Sequence, residues 1–339
     1  MGGLLTTILP IDFWSALDGR GAAPSGAAQY PTMFTGLNGS SYAVRPPWHV
    51  PGVDYRVGIN TGVVLKNPTT IDASIAILSG TNPTSVIIQR DNVTLDGYDF
   101  GFGGTWYNIV TNGFVGLTIS NSRLINRSLS IGSGTPAAPT TIIYCEMDGL
   151  GNSGETSFLA LAFMTGGYTV WKYNWIHDAQ GDMLDFPTLN THIFYNLFDT
   201  QGYFSTAHAD MIQFAGAGTA NDIQIKFNTC FQRIATNSYS SAIDLETQND
   251  AGATMTNPEV AYNVASNNAP GNVSAGLLYR INQTTGSLTG ANFHDNYADF
   301  TNMVAGNSPP AYGVLSNSPI GAGYQESRNI LLNTGAVFS

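Results

Sequence analysis

From about residue 84 the chain alternates apolar and polar positions in short bursts. Thr84 to Phe100 (TSVIIQRDNVTLDGYDF) and Ile223-Gln-Ile225-Lys-Phe227 both follow the two-residue period of a β-strand, and a helical stripe is absent from them. A short phrase recurs around these bursts. It appears at Ile119-Ser-Asn121, Ile143-Tyr-Cys145, Lys172-Tyr-Asn174, Phe194-Tyr-Asn196, Lys226-Phe-Asn228, Ala261-Tyr-Asn263 and His294-Asp-Asn296, at spacings of 24, 29, 22, 32, 35 and 33 residues. A second strand follows in most units: Asp182-Met-Leu-Asp-Phe186, Asp210-Met-Ile-Gln-Phe214, Ser241-Ala-Ile-Asp-Leu-Glu246 and Ala275-Gly-Leu-Leu-Tyr-Arg280. Short strands repeating at an irregular period of 20–35 residues predict an all-β fold, a right-handed single-stranded parallel β-helix whose turns carry loops of different length.

Stacked rungs place equivalent residues about 4.8 Å apart. The recurrent Asn is then expected to form a ladder at a turn, taking the left-handed backbone conformation and bonding its neighbours. Cys145 occupies that position in its own unit, and Cys230 lies three turns on, roughly 14 Å away and beyond disulfide reach, so both are expected free and buried. Residues 1–60 read differently. They are rich in Gly, Pro and aromatics (Gly19-Arg-Gly-Ala-Ala-Pro24, Arg45-Pro-Pro-Trp48) with little periodicity, and are expected to be an N-terminal arm or cap. Residues 61–339 then form the solenoid, with Asn329-Ile-Leu-Leu-Asn333 as a last partial rung.

Composition gives this pattern a cause. Charged residues are 10% of 339, against about 25% in a typical domain. In a stack of identical positions like charges one rung apart repel, whereas amides and hydroxyls bond one another. The 30 asparagines and 38 glycines take the place of the missing charge. A net charge of −11, with only Lys66, Lys172 and Lys226 as lysines, argues against a nucleic-acid partner. No apolar run approaches the roughly 18 residues of a membrane helix. Met1–Pro10 is apolar, but the first basic residue is Arg20 and no small-residue cleavage site follows, so no signal peptide is expected. A virion or extracellular location is expected, reached by lysis.

If Leu184, Phe186, Ile212, Phe214, Ile243 and Leu245 point inward, then Asp185, Gln213, Asp244 and Glu246 point outward on one face, with Asp182 and Asp210 at the strand starts. One-rung separation puts Asp182 and Asp210 about 4.8 Å apart, and two rungs put Asp185 and Asp244 about 9.5 Å apart. Paired carboxyls about 5–5.5 Å apart suit retaining glycoside hydrolysis, and about 6.5–9.5 Å suits inverting. Both remain open from spacing alone. His208, two residues before Asp210, is a candidate base or orienting group, and His177-Asp178 is a second His–Asp pair. Among aromatics that could stack on sugar rings are Trp106, Trp171, Trp175, Tyr203 and above all Tyr239, just before the acidic strand.

The strand–turn–Asn ladder and the Asp-Met-Ile-Gln-Phe type of strand, over about residues 85–335, resemble the pectin-lyase-like right-handed β-helix superfamily. That group includes polysaccharide lyases, glycoside hydrolases and phage tailspike or depolymerase proteins. The resemblance implies a carbohydrate-engaging protein, virion-associated, that binds and hydrolyses a surface polysaccharide, with a homotrimer and a virion contact through residues 1–60. In this reading Asp185 and Asp244 are the acid/base pair. Asp182, Asp210, His208 and Glu246 tune or position them, and Tyr239, Gln213, Trp175 and Trp106 hold substrate. Two other readings stay open. One is a non-catalytic tail or capsid decoration protein. The other is a calcium-dependent lyase, since Asp244, Glu246 and Arg280 are similar to the ion-and-base arrangement of such enzymes; no Lys follows Lys226, and a chain at −11 repels polyanions. Apart from that Ca2+, no cofactor is expected.

Overall fold

In the computed structural model the described residues are 26–36, 42–81, 83–125, 129–151, 162–164, 166–186, 189–204, 209–215, 218–237, 239–247, 252–267, 277–282, 286–299, 314–316 and 322–338. The chain is nearly all β, with 3% helix and 43% strand, in several long parallel sheets, as in a parallel solenoid. A ten-stranded first sheet runs from Ala76–Ser79 to Val314–Ser316, a nine-stranded second sheet from Thr94–Asp96 to Gln325–Ser327, and an eight-stranded third sheet from Arg123–Ile125 to Ile330–Leu331. Each circuit visits the three in turn: Leu184–Phe186, then Thr191–Phe194, then Leu197–Asp199, then back to the first sheet at Ala209–Phe214. Inward positions form columns. Leu184, Ile212 and Ile243 stand in register on the first sheet, and Trp171, Ile193 and Ile225 on the second, all with no accessible surface.

The asparagine column forms at the turn between the second and third sheets. Asn174, Asn196, Asn228, Asn263, Asn296 and Asn329 are buried, and each Oδ1 from Asn196 onward accepts both the backbone N–H and the side-chain Nδ2 of the previous asparagine at 2.9–3.1 Å. Cys145 takes one rung of that column. Its N–H donates to Asn174 Oδ1 at 2.9 Å, and it and Cys230 are free and buried.

The ladder asparagines themselves do not take the left-handed conformation expected of them. The left-handed residue is the one before the ladder asparagine: Tyr144, Tyr173, Tyr195, Phe227, Tyr262, Asp295 and Arg328 have φ of 53–60°. Asn121 belongs to this left-handed column (φ 47°), and the buried Ser122 stands below Cys145 instead. A non-glycine residue in that region costs about 1–2 kcal/mol. The cost is offset by packing, because Tyr144, Tyr173, Tyr195, Phe227 and Tyr262 stack at successive centroid distances of 5.5, 5.3, 5.0 and 4.8 Å.

Residues 42–60 lie along this aromatic flank. Ala43 N–H bonds Leu332 O on the last rung, Trp48 meets Tyr297, Tyr262 and Phe227 edge-on at 5.2, 5.6 and 6.0 Å, and Gly58 N–H bonds Tyr173 O. Asn60 Nδ2 donates to Asn121 Oδ1 at 2.6 Å. The segment thus descends from the last rung to one of the first before the solenoid begins. At Gly52 (φ 74°) it passes so close that a Cβ would lie 2.6 Å from Leu197 Cδ2. The open edge of the first sheet is covered by Ala76–Ser79, paired antiparallel with Thr84–Ile88.

Candidate functional site

The acids sit on the first sheet, where alternation and register build the site. Leu184 and Phe186 face the core and Asp185 faces out, half-buried. Parallel pairing puts Asp185, Gln213, Asp244 and Arg280 in one column on four consecutive strands. Two rungs therefore separate Asp185 from Asp244, about 9.6 Å at the usual strand spacing. Beside this column the Asp210 N–H donates to Asp182 Oδ1 at 2.8 Å, and the Ser241 hydroxyl donates to Asp210 Oδ1. The register between Ala209–Phe214 and Tyr239–Glu246 shifts at Ala209/Asp210, so that Ala209 pairs with Tyr239 but Asp210 with Ser241. This extra residue is a bulge of the kind that re-aims side chains at sites. It brings the Ser241 hydroxyl to Asp210. Gln213 Nε2 reaches Glu246 Oε2 at 3.5 Å.

Asp182, Asp210 and Asp244 have no accessible surface and Glu246 has 2%. Burial pushes the Asp182 carboxyl well above the usual carboxylate range, and the charges of Asp210, Asp185 and Asp244 add to it against the opposing Asp210 N–H bond. Burial likewise raises Asp185 to about 6, helped by Asp210 and Glu246. Asp182 Oδ2 and both polar side-chain atoms of Gln180 are buried without a hydrogen-bond partner among the described residues. Such groups cost about 1–3 kcal/mol each when left dry. A carboxyl with pKa about 6, two rungs from a second carboxyl, has the raised proton affinity of a general acid and lies near the upper end of the spacing for inverting hydrolysis. The Asp182/Asp210 pair one rung apart offers the closer, retaining spacing.

Other sequence candidates fall elsewhere. His208 lies outside the described residues. Arg280 pairs in register with Asp244, and Tyr239 with Ala209, through their backbones. Trp175 is not on the acidic face: it belongs to the third sheet, where its ring stacks on His177 at 4.0 Å. Trp106 precedes Tyr107–Val110 on the first sheet, three strands before Leu184–Phe186, and Trp171 is fully buried in the core with its Nε1 on Thr169 Oγ1. The alternation of Thr169–Lys172 turns Trp171 inward, so it offers no platform. His177 and Asp178 join an ion-pair group on the third sheet with Glu146 and Arg233, and Tyr203 donates to Asp178 at 2.9 Å. Burial opposes a charge on His177, yet bonds to Asp178 and Glu146 prevail and raise it to about 9.

Two members of the site carried no sequence signal strong enough to single them out. Gln180 precedes Asp182 by two residues, and Ser241 reaches Asp210 only because of the bulge. Among the described residues no three His, Cys, Asp or Glu side chains converge to hold a metal ion, and no helix is long and apolar enough to cross a membrane. Comparison with protein-family models, with curated proteins and with solved structures gives no match to this chain.

Proposed function

We propose that this protein is a right-handed, single-stranded parallel β-helix of the pectin-lyase-like kind, a virion-associated or extracellular protein of tailspike or depolymerase type. It binds a neutral surface polysaccharide along the first sheet and hydrolyses it. Asp185 serves as the general acid and Asp244 as the base that activates water. Burial, with the charges of Asp210 and Glu246, holds the proton affinity of Asp185 high, and Asp182 positions Asp210 through its backbone N–H. Trimerisation and particle attachment through residues 1–60 belong to the same proposal. The observation that carries the reading is the pairing of a half-buried carboxyl raised to about 6 with a second carboxyl two rungs away, in a chain that otherwise avoids charge.

The test is release of reducing ends from a panel of purified neutral capsular and cell-wall glycans. Asp185→Asn and Asp244→Asn are each expected to lower the rate by about 10²–10⁴-fold. Full activity in both variants removes the assignment. A second, non-catalytic reading, in which the protein is a tail or decoration component, is favoured by one observation: Asp182, Asp210 and Ser241 bond one another with no accessible surface, as internal braces do. Under it no glycan is cleaved, and deleting residues 1–60 abolishes particle assembly. The calcium-dependent lyase reading predicts unsaturated products and loss of activity with chelator.

A further inference from the structure

A polar concavity lies away from the acidic face, over the last rungs of the second sheet. It has a volume of about 570 Å³. One wall is the column Glu259, Asn292 and Gln325, which parallel pairing places on three consecutive rungs. The other is the turn leading into those strands, where Asn257, Gly290 and Gly323 are all left-handed, with φ of 52, 65 and 79°. The turns are tied rung to rung by Asn257 N–H to Thr289 O (2.8 Å) and Gly290 N–H to Ala322 O (2.9 Å). A Cβ at Gly290 would lie 2.0 Å from Asn257 Oδ1, so glycine there keeps the Asn257 amide in place.

The chemistry of the walls selects a ligand class. Glu259 is the trough's one carboxylate, and it is already matched by Lys226 Nζ at 2.8 Å and His294 Nε2 at 3.2 Å. The lining therefore has no unmatched charge to draw an ion, and no aromatic residue to draw an apolar group. The side chains of Asn257, Asn292 and Gln325 make no hydrogen bond with the described residues. The six-asparagine ladder inside the solenoid, by contrast, saturates its amides. Each free carboxamide offers two donors and an acceptor, and on the Asn292–Gln325 wall they repeat at about 4.8 Å, close to the length of one pyranose unit. The geometry points to a binding subsite for an uncharged polyhydroxylated ligand, one or two rings of a neutral oligosaccharide lying along the solenoid axis. This inference does not depend on the acidic face being catalytic.

Isothermal titration of the full chain with cellohexaose, maltohexaose, chitohexaose and hexagalacturonate tests it. At least one neutral hexamer is expected to bind, with hexagalacturonate silent. Asn292→Ala/Gln325→Ala is expected to weaken that binding by about tenfold or more. Hydrogen exchange on the wild type should show ligand protection at residues 286–294 and 322–327. The proposal is overturned if no neutral hexamer binds, if hexagalacturonate binds better, if the double variant binds unchanged, or if protection falls on residues 184–246 instead.

Discussion

The turn between the second and third sheets and the outer face of the first sheet are both columns of polar residues repeated rung on rung, yet they behave in opposite ways. In the turn, Asn196 Oδ1 accepts two bonds from Asn174 while its own amide donates onward to Asn228. A carboxamide both donates and accepts, so a stack of them satisfies itself. On the first sheet the repeated groups are carboxyls, which only accept when ionised. Asp182 accepts the Asp210 N–H and Asp210 accepts the Ser241 hydroxyl, while Asp182 Oδ2 has no partner among the described residues and its buried carboxyl holds a proton tightly. A solenoid therefore tolerates amide columns for structure, whereas an acid column carries a standing cost and calls for another explanation.

The largest effect expected from this contrast comes from breaking the ladder. The Asn228 side chain takes part in four ladder bonds, accepting from Asn196 N and Nδ2 and donating to Ile193 O and Asn263 Oδ1, at 2.8–3.0 Å. Asn228→Ala should destabilise the protein by roughly 3–5 kcal/mol, read from the denaturation midpoint. A loss under about 1 kcal/mol would mean the ladder is ornamental.

Next in size, and opposite in sign, is Asp182→Asn. A carboxyl whose folded pKa lies above its unfolded value binds its proton more tightly in the folded state. The folded state is therefore fully penalised above the folded pKa, and the penalty shrinks as pH falls below it and is gone below the unfolded value of 3.8. Asp182 and Asp185 are both of this kind. Asp182→Asn should stabilise by roughly 1–3 kcal/mol at pH 8 and by little at pH 4. His177, raised to about 9, contributes stability that is complete below about 6.5 and lost as pH rises through 9. Both effects lower the melting temperature on the alkaline side, and a profile that instead rises steadily from pH 5 to 9 would contradict them.

The smallest effect tests the ladder from its weak end. Cys145 Sγ sits 3.5 Å from Ile119 O, where a ladder amide would donate. Cys145→Asn should extend the column by one amide and change stability by no more than about 1 kcal/mol in either direction.

Much of this was legible along the chain. The two-residue alternation marked the strands, and the recurring phrase placed Asn174, Asn196, Asn228, Asn263 and Asn296 in one column, with Cys145 among them. Alternation also put Asp185 and Asp244 on one face with Gln213 between them. What misled was the assignment of the left-handed turn to asparagine. Propensity favours Asn there, but stacking of Tyr173, Tyr195 and Phe227 under the strap of residues 42–60 outweighs it. Trp175 was misplaced for a similar reason, since exposure of an aromatic depends on which sheet its strand joins.

The sequence by itself determined the strand period, the ladder and the scarcity of charge, because each follows from neighbours along the chain or from identical positions that must stack. Only the tertiary structure decided the bulge that sets Ser241 beside Asp210, the path of residues 42–60 from the last rung to one of the first, and the proton affinity of Asp182 and Asp185. Register across loops of unequal length and the loss of water around a carboxyl belong to the assembled rungs, and no local pattern encodes them.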